Sequence, residues 1–121
     1  MPFTVARTAL ESGILVLKLS GRMTLGSQIQ SFEWDVARDV EQNRSRIAVD
    51  MSEIAYVDSA AIGVLVGCHS TAKNAGGQLR IAAPTDRVRA VFKMTGLENV
   101  LNVDASVEES VAALSSAPSA S

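Results

Sequence analysis

The stretch Arg46-Ile-Ala-Val-Asp-Met-Ser-Glu-Ile-Ala-Tyr-Val-Asp58-Ser59-Ala-Ala-Ile-Gly-Val-Leu-Val66 decides the fold. Its first residues, Arg46 to Asp50, are short, apolar and bounded by polar neighbours, the pattern of a buried central strand. A short crossing loop carrying Tyr56 follows. At Asp58-Ser59 the pattern turns helical and stays so to Asn74. Ile62, Leu65, Val66 and His69 fall on one side, and Gly76-Gly77 closes the element. A buried strand feeding a helix through a short loop is the repeating unit of an α/β sheet.

The same alternation extends both ways. Upstream, Phe3 to Leu10 gives a weak edge-strand signal and Ile14 to Leu19 a clear one. Glu11-Ser12-Gly13 turns between them and Gly21 closes the second, so the pair reads as a hairpin. Ser27 to Gln42 is helical, with Ile29, Phe32, Val36 and Val40 as its apolar stripe and Ser27 as its N-cap. Glu33, Asp35, Arg38 and Asp39 face outward, and Trp34 lies off the stripe as a partly exposed cover or, if clearly exposed, a contact residue. Downstream, Gln78 to Ala82 is a strand. Pro84 opens a helix that buries Val88, Val91 and Phe92 and ends at Gly96. Val100 to Val103 is a short strand and Val107 to Leu114 a last helix. Met94 and Leu97 read as core residues.

The expected order is therefore β-β-α-β-α-β-α-β-α. It predicts a single small α/β domain over residues 1–114, with a mixed, mostly parallel sheet of four to five strands and helices mainly on one face. Residues 115–121 are small and polar and read as a flexible tail. In such folds, sites form where loops leave the carboxyl ends of strands.

Composition excludes several classes. The chain has 121 residues, 47% hydrophobic and 20% charged, which is ordinary globular composition. Its 11 Lys and Arg against 13 Asp and Glu give a net charge of −2. That argues against nucleic acid or an anionic membrane as partner. The lone Cys68 precludes an internal disulfide. No stretch is long and apolar enough to span a bilayer, and Met1-Pro2-Phe3-Thr4 lacks a secretory pattern, so a cytoplasmic location is expected. Cys68 and the single His69 are too few for a zinc site. Adjacent on a helix, they point about 100° apart, so they make no catalytic dyad. No phosphate-binding glycine loop and no nucleophile beside a base is present, so no cofactor, metal or catalytic role is expected.

Ser59 has two readings. It is the N-cap of the helix, its hydroxyl accepting a backbone N–H. Alternatively it accepts a phosphate, whose charge the free N–H groups and helix dipole would favour and which would add to Asp58 on a recognition surface. Asp58-Ser59-Ala60-Ala61-Ile62-Gly63 resembles the Asp-Ser-(Ser/Thr)-Gly-(Leu/Ile)-Gly signature of STAS domains, and within them the bacterial anti-sigma factor antagonists. The resemblance spans roughly Phe3 to Leu114. It includes the strand ending at Asp50, Asn74-Ala-Gly-Gly-Gln-Leu-Arg-Ile81 and Val91-Phe-Lys-Met-Thr-Gly-Leu97.

The resemblance implies a non-enzymatic partner switch. The unphosphorylated domain binds an anti-sigma factor that is also a serine kinase and frees a sigma factor for transcription. Phosphorylation of Ser59 releases it, and a PP2C-type phosphatase resets it. The implied partner surface comprises Asp58, Ser59, Ala60, Ala61, Tyr56, Arg22 and Thr24. Ala60 and Ala61 depart from the signature, leaving Ser59 the sole acceptor there. Ala61 either hinders a partner's backbone or simply favours the helix. Arg22 and Thr24 stand where many relatives carry acids, which points to a partner of altered charge. The alternative is a non-switching STAS subunit of a lipid-transport ATPase or stress-sensing scaffold, for which Ser59 would be dispensable.

Around this surface, Asp50 caps the loop or shapes the Ser59 pocket, and Tyr56 is a half-buried anchor or an interface aromatic. Arg87, Arg89 and Lys93 form a solvated helix face or an interface rim. An exposed edge strand at Phe3 to Leu10 would permit dimers without requiring them.

Overall fold

The computed structural model describes residues 2–116. Strands β1 (Thr4–Ala9) and β2 (Leu15–Met23) form an antiparallel hairpin. β2, β3 (Arg46–Val57), β4 (Gln78–Ala82) and β5 (Asn102–Asp104) run parallel, in the spatial order β1-β2-β3-β4-β5. Helices α1 (Ser27–Glu41), α2 (Ser59–Asn74) and α3 (Asp86–Thr95) connect the parallel strands, and α4 (Val107–Ser116) follows β5. The expected α/β architecture and element order are present.

Alternation along the strands builds two layers of unequal weight. Leu15, Leu17 and Leu19 of β2, Ile47, Val49 and Met51 of β3, and Leu79 and Ile81 of β4 are buried in one cluster with side chains of α1, α2 and α3. The opposite face carries a small cluster, Ile14 and Ala48 against Leu114 of α4, flanked by Val16 and Val111. Three helices thus cover one face and α4 the other. Leu65 and Phe92, both fully buried, fill the larger cluster. Truncating either to Ala costs about 2–5 kcal/mol.

Several boundaries differ from expectation. β3 continues seven residues past Asp50, as its bounds show. Its buried residues there, Met51, Ile54 and Val57, are spaced by three rather than two, because the β2–β3 ladder slips between Lys18 and Ser20 and again between Gly21 and Arg22. Gly21, at φ +96°, does not end β2 but bends it, and the strand runs on to Met23. Helix α2 buries Ala61, Leu65, Cys68 and Ala72, while Ile62, Val66 and His69 lie half-buried on its flank. Small residues on the inner row let the helix sit close to the sheet.

In α1, Ser27 is the first helical residue, and Gly26 occupies the cap position without a side-chain bond. Asp39, expected outward, is only 4% exposed. It pairs with Arg7 of β1 and lies 4.0 Å from Arg44, so an ion pair ties the edge hairpin to α1. Pro84 precedes α3 rather than opening it. Thr85 caps that helix by accepting the Val88 N–H, and Gly96 ends it in the left-handed conformation. A 3₁₀ turn over Leu97–Asn99 delays β5 to Asn102. Leu97 is buried as expected, but Met94 is 86% exposed, at the solvent side of the last turn of α3. Ser115 and Ser116, expected in the tail, belong to α4, and residues 117–121 lie outside the described residues.

Candidate functional site

The buried strand β3 ends at Val57, and Asp58 leaves it in an extended conformation to become the N-cap of α2. Its Oδ1 accepts the N–H of Ala61 at 2.9 Å, one of the donors that the first turn of a helix leaves unpaired. Its Oδ2 accepts the N–H of Leu25 at 2.8 Å. Its own N–H donates to the carbonyl of Met23 at 3.2 Å. One residue therefore locks the start of α2 to the loop between β2 and α1.

This arrangement removes the capping reading of Ser59. The capping work belongs to Asp58, and Ser59 is the exposed first residue of α2. Sequence reasoning placed the cap one residue too late, because Asp and Ser are equally good caps and only the helix start tells them apart.

Removal from water pushes the Asp58 carboxyl upward, but N–H donors from Leu25, Ala61 and Ala60 outweigh that and hold it below the usual carboxylate value. The anion is therefore permanent at neutral pH. It also engages the N–H of Ala61, one of the helix-start donors that a phosphate would otherwise meet. A phosphoryl group on Ser59 would lie beside the Asp58 carboxylate at the exposed start of α2.

The other anticipated residues divide. Ala61 is fully buried, so its methyl group meets the core, and it offers a partner no side chain. Ala60 and Thr24 are half-buried beside the loop that Asp58 holds. Arg22 and Tyr56 are direct register partners on β2 and β3. The Arg22 guanidinium lies 5.1 Å from the centre of the Tyr56 ring, and Arg87 of α3 lies 5.8 Å from it. Tyr56 belongs to β3, not to a loop, and is half-buried. Asp50 accepts the N–H of Ser52 at 3.0 Å, the capping role, and no bond links it to Asp58.

Sequence reasoning missed Leu25, which is 75% exposed and whose N–H Asp58 holds. A lone apolar residue between Thr24 and Gly26 carries no periodic signal. Trp34, off the apolar stripe of α1, is 67% exposed. Cys68 is a core residue whose thiol burial pushes up to about 12, with Glu33 adding to the shift. Among the described residues no group of three or more His, Cys, Asp or Glu side chains is placed to hold a metal ion.

A family model described as STAS domain matches residues 6–110. The chain belongs to the STAS domain family. It is 23% identical to the anti-sigma-B factor antagonist of Bacillus subtilis over 94 residues, covering 74% of this chain and 86% of the relative. Its fold matches that of the Bacillus antagonist SpoIIAA in the unphosphorylated form with a TM-score of 0.80 at 18% identity, covering 95% of this chain and 99% of that one. The phosphorylated form of SpoIIAA matches with a TM-score of 0.71, also at 18% identity, covering 91% and 98%. A sulfate transporter family protein from Wolinella succinogenes matches with a TM-score of 0.73 at 14% identity, covering 84% of each chain. At these identities the structural likeness is one of fold. Among the described residues no helix is long and apolar enough to cross a membrane.

Within the STAS fold, the Asp58–Ser59 corner lies at the carboxyl end of β3, where loops leave a parallel sheet. Leu25, Thr24 and Ser59 border the clamp made by Asp58, and the Arg22–Tyr56–Arg87 stack continues the same end of β2 and β3.

Proposed function

We propose that this STAS domain is an anti-sigma factor antagonist that works by partner switching at Ser59, in the cytoplasm. One observation carries the reading: Asp58 takes over the cap of α2 and leaves the Ser59 side chain exposed at the helix start. A serine needed to hold its helix would be a poor switch, since modifying it would damage the fold. Here the hydroxyl can change charge while the cap stays in place.

Unphosphorylated, the surface around Ser59 and Leu25 docks on an anti-sigma factor that is also a serine kinase, and a sigma factor is freed for transcription. The kinase then transfers a phosphoryl group from ATP. The Ser59 Oγ–P bond forms, the bond to ADP breaks, and the hydroxyl proton leaves to solvent. About two negative charges arrive beside the Asp58 carboxylate, and like-charge crowding plus desolvation disfavours the complex. A PP2C-type phosphatase hydrolyses the ester and restores binding. The domain itself is substrate and binding module rather than enzyme.

The test measures binding to the host's anti-sigma kinase for the parent, Ser59→Asp and Ser59→Ala chains. The reading predicts that Asp weakens binding at least tenfold with an unchanged melting temperature. It predicts that Ala binds like the parent and stays bound when ATP is added. Equal binding by the parent and the Asp variant would overturn it. A non-switching subunit of a lipid-transport ATPase or stress-sensing scaffold would be indifferent to both substitutions.

A further inference from the structure

We infer that the hollow between Arg22, Tyr56 and Arg87 is a carboxylate-binding site, and that the partner of this domain inserts an acidic side chain there. The hollow, of about 310 Å³, is lined by Arg22, Ala55, Tyr56 and Arg87. No carboxylate is among its walls. The two guanidinium groups approach the Tyr56 ring, at 5.1 and 5.8 Å from its centre. Stacking on an aromatic ring restrains a guanidinium while leaving its N–H edge free to donate.

The other arginines show why this pair stands out. Arg7, Arg38, Arg44, Arg80 and Arg89 each lie within 4.0 Å of a carboxylate oxygen. Arg46 donates to the carbonyls of Ser12 and Leu114. Among the described residues, only Arg22 and Arg87 have neither kind of partner. Glu53 of β3 and Asp58 at its end have partners of their own. Asp58 accepts from Leu25 and Ala61, and Glu53 lies 3.3 Å from Lys18. Asp86, next to Arg87 on α3, is outside the lining, as adjacent helical residues point about 100° apart. In a chain of net charge −2, two unneutralised guanidinium groups around one ring are a local exception. A carboxylate fits them by paired N–H donation to its two oxygens.

The identity of the partner rests on the partner-switching reading, but the charge of the hollow does not. The test therefore needs no kinase. The ¹⁵N-labelled full chain is titrated by NMR with the peptide acetyl-Gly-Glu-Leu-Glu-Gly-amide and with its Gln-for-Glu counterpart, at low and high salt. The expected result is a saturable shift of the Arg22 and Arg87 Nε–H signals with the acidic peptide alone, weaker at high salt. Affinity falls at least tenfold in Arg22→Gln/Arg87→Gln and partly in Arg22→Lys, which keeps the charge but loses the fork. The amide spectrum verifies that each variant is folded. Shifts equal for both peptides, shifts spread evenly over all arginines, no shift at millimolar peptide, or unchanged affinity in the double variant would each overturn the assignment. Loss of the switch at Ser59 would leave this result standing, and failure here would leave the switch standing.

Discussion

Two helices begin at the same end of the sheet, after β2 and after β3, and both start with a serine. Helix α1 opens Gly26-Ser27, and no side chain caps it. Helix α2 opens Asp58-Ser59, and the Asp58 carboxylate binds both its own first turn and the loop that leads into α1. Ser27 and Ser59 are equally exposed in kind, yet only Ser59 sits against a fixed anion. On the partner-switching proposal, what makes a serine a usable switch is its neighbour. A residue that secures the helix frees the hydroxyl to change state, and a permanent charge beside it magnifies that change.

The sharpest way to break this comparison is to add a charge at each start. Ser59→Asp should lower affinity for the anti-sigma partner at least tenfold, while Ser27→Asp should change it less than twofold. Both should melt like the parent by circular dichroism. Equal effects at the two serines would mean that the surface responds to total charge rather than to this corner.

Removing the clamp comes next. Asp58→Ala should cost about 1–2 kcal/mol in urea unfolding, because a lost cap leaves helix donors unpaired. Ser59→Ala and Ser27→Ala should each stay within about 0.5 kcal/mol. A loss of about 1 kcal/mol for Ser59→Ala would return the capping role to the hydroxyl.

A smaller effect tests the charge. The pKa of Asp58 is lowered in the fold, so its contribution is complete above its unfolded value, about 3.9, and disappears as pH falls through the lower folded value. Asp58→Asn keeps a good cap but cannot ionise. Its stability should fall less steeply than the parent's between about pH 4 and pH 2. Asp104, lowered chiefly by its hydrogen bonds from Arg80, supplies a slope of the same sign that the variant retains. Parallel slopes for the two proteins would show that Asp58 is not held as its bonds imply.

Much of the fold was legible because apolar periods switch cleanly between strand and helix, and Gly96 and Gly76-Gly77 fall where helices end. The tail of β3 was not, because a slipped ladder replaces alternation with spacing by three at Met51, Ile54 and Val57. Asp39 was misplaced because its partner Arg7 lies 32 residues away on another element, invisible to local pattern. At the site, the corner itself was legible as an Asp-Ser pair between a buried strand and a helix. Which of the two residues caps depends on a one-residue boundary, which propensity does not resolve. Leu25 and the arginine pair around Tyr56 arise from β2 and β3 lying side by side, and from α3 folding back over them.

The most direct measurement is intact-mass spectrometry with site mapping on the chain purified from its own host, with and without prior PP2C-type phosphatase treatment. The account predicts a fraction heavier by one phosphoryl group, mapped to Ser59 and removed by the phosphatase, with Ser27 unmodified. A chain that carries no phosphate under any growth condition, or carries it at Ser27 and not at Ser59, would contradict it.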